Sequence, residues 1–163
     1  MHVAGVRVEL PTNTPVVLLC EIDGPRTLPI YVGTAEATSI AYALQGVVTP
    51  RPLTHDLIQL ILETANVTLE RVLVTELRDA TYYAELHLLV AGELRTVSAR
   101  PSDAMAIALR ASAPIFAQDD LVDSEGIVLQ QEEPDNGEQD EELVAQFREF
   151  LGEVRPEDFS GGS

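Results

Sequence analysis

The chain has 163 residues, 45% of them hydrophobic, which is enough apolar material to bury the core of one ordinary domain. Acidic residues outnumber basic ones 27 to 10, and every basic residue is an arginine. That balance argues against sequence-independent clamping of long nucleic acid, which rests on many Lys and Arg side chains displacing counterions from phosphates, and leaves room for a local basic cleft.

About half of the net charge of −17 falls at the end of the chain: residues 1–131 carry 16 acids and 8 arginines, residues 132–163 carry 11 acids and 2 arginines. The single cysteine, Cys20 in the run VVLLC, reads as a small core hydrophobe in a reducing compartment. The N-terminal stretch MHVAGVRVEL lacks a basic segment followed by a long apolar one, and no run reaches the ~18 apolar residues of a membrane span. A cytoplasmic protein without membrane partners is expected.

Residues 3–10 alternate, with Val6, Val8 and Leu10 on one face and Arg7 and Glu9 on the other, the period of a half-buried strand. Val16 to Ile22 is a continuous β-branched and leucine run, expected as a central strand, and Asp23, Gly24 and Pro25 turn the chain into another strand over 28–32. At Gly33 the period changes. Thr34 is placed to cap a helix over 35–45 whose apolar positions are Ala37, Ile40, Ala41 and Leu44, with Gly46 as its stop. Thr54 is placed to cap a second helix, with Leu57, Ile58, Ile61, Leu62 and Ala65 on its apolar side and Asn66 at its end. Strands are expected over 67–77, 81–90 and 94–99, joined by turns at 78–80 and 91–93. Within them Tyr82 and Tyr83 point to opposite faces, and His87 reads as half-exposed. A third helix follows Pro101, with Ser102 as its expected cap and a small-residue face of Ala104, Ala106, Ala108 and Ala111. The PIFA run, a helical turn at Asp119 and Asp120, and an edge strand over 127–129 complete the core.

The order βββ-αα-βββ-α predicts an α+β domain over 1–131 with a mainly antiparallel sheet. Residues 132–139, acidic and polar, read as a linker, and residues 140–163 as a tail holding an amphipathic helix with Leu143, Val144, Phe147, Phe150 and Leu151 on one side.

Two segments share a design. Arg51-Pro52-Leu53-Thr54-His55-Asp56 precedes the second helix and Arg100-Pro101-Ser102-Asp103 precedes the third. Each sets an Arg-Pro step, a hydroxyl residue and an acid at a helix start, where backbone N–H groups favour anions. If the two starts meet, Arg51 and Arg100 can hold phosphate oxygens. Asp56 and Asp103, with Glu36, can bind a divalent cation such as Mg or Mn, and His55 can act as base or proton shuttle. Good capping and local ion pairing also account for both segments without any chemistry.

RPLTHDL at 51–57 and ARPSDAMAIALR at 99–110, together with LPIYVGTAEATSIA at 28–41 and APIFA at 113–117, resemble the bifunctional nuclease domain family. Plant members are described as degrading both DNA and RNA, and many bacteria carry a one-domain relative. The resemblance spans roughly residues 3–131. It implies an α+β fold, self-association, and functional roles for the residues in the shared motifs: Glu36, Arg51, Thr54, His55, Asp56, Arg100, Ser102, Asp103 and Arg110.

The expected function is a metal-dependent nuclease or phosphodiesterase. His55, Asp56 and Asp103 are its expected chemical groups; Arg51, Thr54, Arg100, Ser102 and Arg110 contact substrate; Asp56, Asp103 and Glu36 hold the metal. The rival expectation is a non-catalytic oligomeric module whose acidic tail recruits a protein partner.

Overall fold

The computed structural model describes residues 1–129, and the expected linker and tail helix lie outside them. The chain begins with three antiparallel strands, β1 (His2–Glu9), β2 (Thr14–Cys20) and β3 (Arg26–Tyr31), followed by the helices α1 (Thr34–Gln45) and α2 (Thr54–Thr64). A second set of strands, β4 (Val67–Arg78), β5 (Thr81–Val90) and β6 (Glu93–Ala99), leads into α3 (Pro101–Ala111). Short β7 (Ile115–Ala117), α4 (Asp119–Glu125) and β8 (Ile127–Val128) close the unit.

The strands form two four-stranded sheets, ordered β1-β2-β3-β8 and β6-β5-β4-β7. Every pairing is antiparallel except β4 with β7, so the α+β architecture expected from the periodicities is the one observed. The β4–β5 and β5–β6 hairpins turn at Asp79-Ala80 and Ala91-Gly92, all four residues at positive φ, which matches the twist of the flanking strands.

One core joins both sheets to the helices. Val17, Leu19, Leu28 and Ile30 supply it from the first sheet, Val72, Val74, Ala84 and Leu86 from the second. The small face of α3 is its centre: Ala104, Met105, Ala106 and Ala108 are fully enclosed, because alanines let the helix axis approach the strands closely. Burying each large aliphatic side chain contributes roughly 1.5–3 kcal/mol.

Several local expectations are corrected. The N-cap residues are Gly33, Leu53 and Arg100, each in extended conformation, rather than Thr34, Thr54 and Ser102, and none caps through its side chain. At α3 the reason is Pro101, whose fixed φ and missing N–H suit the first helical position and push Ser102 inside the helix. α1 ends as expected at Gly46, where a φ of 63° lets the Gly46 and Val47 N–H groups donate to the Ala43 and Tyr42 carbonyls, whereas α2 ends at Ala65 rather than Asn66. In α2 only Ile58 and Leu62 pack on the core, while Leu57, Leu60 and Ile61 face outward. His87 is buried rather than half-exposed, covered by its position on a strand flanked on both sides. Cys20 is half-buried and meets Thr27 Oγ1 at 3.2 Å instead of entering the core. Tyr82 packs against the core while Tyr83 lies under the Arg78 guanidinium, 4.5 Å from it, as opposite faces require.

Candidate active site at three helix starts

α1 and α2 both pack on α3, and this brings the first turns of the three helices to one place. Glu36 lies in the first turn of α1, His55 and Asp56 in that of α2, and Asp103 in that of α3, whose N-cap is Arg100. A chain of hydrogen bonds links them. His55 Nε2 meets Asp103 Oδ1 at 3.1 Å, joining the two Arg-Pro segments that the sequence sets 48 residues apart. Arg100 grips Asp103 with two nitrogens, Nε to Oδ2 at 2.7 Å and Nη2 to Oδ1 at 2.9 Å, the bidentate fork that guanidinium and carboxylate favour. The same Nη2 donates to Glu36 Oε1 at 2.7 Å.

A second pair stands beside the first. Asp56 accepts from Arg110 Nε at 2.5 Å and from the backbone N–H of Leu53 at 2.8 Å, satisfying one of the free donors of the α2 start. Arg110 also donates from Nη1 to the Ala106 carbonyl at 2.8 Å and from Nη2 to the Ser39 carbonyl at 3.2 Å. Ser39 is the link between the pairs, because its hydroxyl meets His55 Nδ1 at 2.8 Å.

An ionised carboxylate only accepts, so the contact with Asp103 puts a proton on His55 Nε2, and the Ser39 hydroxyl is the partner of Nδ1. With the residue 8% exposed and both ring nitrogens engaged, His55 ties three helices together and has no free lone pair facing solvent.

Burial pushes the Asp103 carboxyl up, but the hydrogen bonds and charges of Arg100 and His55 outweigh it and hold the group below the usual carboxylate range. Asp56 has the same balance: burial raises it, while Arg110, the Leu53 N–H and His55 bring it down further. Arg100, bonded by Asp103 and then Glu36, is held more firmly protonated than a free arginine.

The structure thus brings together Glu36, His55, Asp56, Arg100, Asp103 and Arg110, and leaves three expected residues out of the network. Arg51 is exposed in the connection before α2, where its carbonyl accepts from Thr49 Oγ1 at 2.6 Å. Thr54 is exposed at the first position of α2. Ser102 is buried in the first turn of α3. Ser39 was not among the expected residues. Its signal was a polar residue on the buried stripe of α1, between Ala37 and Ile40, one turn after Glu36.

For a cation the donor set is uneven. Among the described residues no three His, Cys, Asp or Glu side chains are placed to surround a metal ion. Glu36 and Asp103 nevertheless converge on one atom, Arg100 Nη2, whereas Asp56 is turned to Arg110. Two carboxylates that meet on one solvent-facing cation suit a hard ion taking its other ligands from water and phosphate.

Residues 17–130 match the bifunctional nuclease domain family. The chain belongs to that family. An uncharacterized protein of Mycobacterium tuberculosis is 42% identical over 165 residues, covering 98% of this chain and 96% of the relative. Bifunctional nuclease 1 of Oryza sativa subsp. japonica and the bifunctional nuclease of Oryza minuta are each 30% identical over 122 residues, covering 73% of this chain. That aligned segment is 37% of each plant protein, so this bifunctional nuclease domain corresponds to a minor part of theirs. Every residue of the helix-start cluster falls inside the matched segment. No helix among the described residues is long and apolar enough to cross a membrane.

Proposed function

We propose that the chain is a phosphodiester hydrolase acting on DNA or RNA, and that its reaction centre is the cluster at the starts of α1, α2 and α3. Membership of the bifunctional nuclease family supports a nuclease function. The observation that carries the choice of site is the convergence of Glu36 and Asp103 on the exposed guanidinium of Arg100, at the one place where three helix N-termini meet.

In this reading Arg100, whose side chain is 66% exposed, swings from the carboxylates to a phosphate oxygen, and exposed Arg51 takes a second one. Glu36 and Asp103 are the residues that would hold a Mg or Mn ion once the guanidinium has moved. When bound, that ion supplies polarisation of the phosphoryl oxygen. Asp103 also accepts from the Nε2–H of His55, directed at Oδ1, a contact that favours its ionised form. Ser39 orients the imidazole through Nδ1, and Arg110 holds Asp56 against the start of α2. Thr54 and Ser102 line the two helix starts without joining the network. The reducing, cytoplasmic setting that one cysteine suggests suits such an enzyme.

A metal-supplemented assay on short single-stranded DNA and RNA tests the reading. Asp103→Asn and Glu36→Gln are expected to lower kcat by about 100-fold or more, in line with loss of a preorganised electrostatic group. Thr54→Ala is expected to leave it within a few-fold. Equal activity in all four proteins points to a contaminant and rejects the site.

A second reading is favoured by one observation, that Asp56 and Asp103 each already carry an arginine as counter-charge. The cluster is then a structural lock in a non-catalytic oligomeric module, and the acidic tail recruits a protein. Titration calorimetry separates the two: heat on adding Mn that disappears in Asp103→Asn supports the hydrolase, and no heat supports the lock.

A further inference from the structure

β6 is an edge strand that runs straight into the cluster at the helix starts. It is seven residues long, pairs with β5 from Ala84–Ala99 to Val90–Glu93 without a register shift, and ends at Ala99, next to Arg100, the N-cap of α3. Among the described residues no strand lies on its outer side, so the backbone N–H and C=O groups that point away from β5 meet no ladder partner.

Charge sets this edge apart from the rest of an acidic chain. From Leu94 to Ser102 the sequence LRTVSARPS holds two arginines and no acid, and residues 1–129 contain no other acid-free stretch with two. Thr96 and Ser98 are exposed and share one face of the strand, and Arg100, extended at φ −69° and ψ 143°, stands two residues further on. Two residues of strand advance about 6.6–6.8 Å, close to the separation of successive phosphates in an extended single strand of nucleic acid. The acids beside this series are already engaged. Glu85, opposite Ser98, meets His87 Nε2 at 3.2 Å, and Glu93 accepts from Arg95 Nη2 at 2.5 Å. Leu94 and Val97, both exposed, offer apolar contact to sugars and base faces.

We propose that the β6 edge is the track along which a single strand of DNA or RNA reaches the reaction centre. One phosphate lies on Arg100, and its neighbours lie on the hydroxyls of Ser98 and Thr96 and the free N–H groups of the edge. Arg95, with its side chain 65% exposed, exchanges Glu93 for a further phosphate, as Arg100 exchanges Glu36 and Asp103. The inference rests on the hydrolase reading above and adds where the substrate lies. Arg95 and Arg100 are five residues apart, about 17 Å along a strand, which leaves room for a few nucleotides. A duplex carries its phosphates on two winding strands, whereas this edge offers one straight row of donors.

Fluorescence anisotropy of a labelled single-stranded oligonucleotide with the full-length chain, in about 0.1 M salt and without divalent metal, reads the track apart from hydrolysis. Arg95→Gln is expected to weaken binding about fivefold or more, the worth of one hydrogen bond to a charged group. Arg95→Lys, which keeps the charge, is expected to recover most of that loss, and this recovery separates a lost contact from a lost fold. An oligonucleotide with a photoreactive base is expected to cross-link to the peptide that spans β6. With metal present, Arg95→Gln acts on KM for the oligonucleotide, whereas Asp103→Asn acts on kcat. A wild-type chain that does not bind, Arg95 variants of unchanged affinity, as an edge reserved for a protein strand would give, or cross-links confined to other segments overturn the track even if Asp103→Asn abolishes hydrolysis. Binding that depends on Arg95 in a chain that hydrolyses neither DNA nor RNA supports the track and rejects the hydrolase.

Discussion

Asp103 accepts hydrogen bonds from three N–H groups, two of Arg100 and one of His55, and Asp56 from two. Both carboxyls are held below the usual carboxylate range. Groups with folded pKa values below their unfolded ones stabilise the fold fully above the unfolded value, about 4 for aspartate. That contribution is lost as pH falls from there through the folded values. The urea midpoint is therefore expected to stay level from neutral pH down to about 5 and to fall steeply below about 4. Asp103→Asn should start lower at neutral pH and lose less on acidification. A midpoint that falls equally in wild type and variant shows that other groups govern acid stability.

The residues of the cluster were legible in unequal degree. Glu36, His55, Asp56, Arg100, Asp103 and Arg110 sit at helix starts and in a helix last turn, where charge has a local reason to be, and this drew attention to them. Ser39 had no such local reason. Its contact to His55 is 16 residues away in sequence and depends on how α1 and α2 each pack on α3, which no periodicity encodes. The assignment of Thr54 and Ser102 as caps failed for a physical reason: Asp56 satisfies the α2 start from the third helical position, and Pro101 fixes the α3 start one residue before Ser102.

At the scale of elements, strands read cleanly where one face is buried. β5 alternates from Ala84 to Leu86 before buried His87 breaks the pattern, and its hairpins turn where Asp79 and Gly92 stand. Helix existence read equally well, but burial did not. The apolar stripe of α2 is wider than its contact with the core, so Leu57, Leu60 and Ile61 border a shallow apolar hollow with Thr64 and Ala65. α3 is the reverse case, a helix whose small side chains are almost all enclosed. The two helices should therefore respond differently to substitution. Met105→Ala is expected to cost about 2–5 kcal/mol, because a fully enclosed side chain leaves a cavity. Leu60→Gln is expected to change stability by about 0.5 kcal/mol or less. Thermal unfolding of the two variants checks this, and a large cost at Leu60 shows that the outer face of α2 is covered in solution.

The whole chain carries a net charge of −17, and a nucleic-acid substrate is also negative. Long-range repulsion slows their encounter, and salt screens it over about 10 Å at 0.1 M. The nuclease reading consequently predicts that KM for a short oligonucleotide falls as salt rises from very dilute buffer to about 0.1 M. A strongly basic nuclease shows the opposite trend, because it binds by releasing counterions. KM that rises steadily over this range shows that the local cations at the helix starts outweigh the charge of the chain.

The cluster at the helix starts draws on segments far apart in the chain, with Glu36 and Arg100 separated by 64 residues and Asp56 and Arg110 by 54. Contacts of such sequence separation form only after long loops have closed, so they are slow to appear during folding. A newly made chain can hold each helix and each hairpin and still lack the site. The junction of the three helix starts therefore serves as a marker of completed folding, and chains that end before Arg100 lack the residues of α3 that close it.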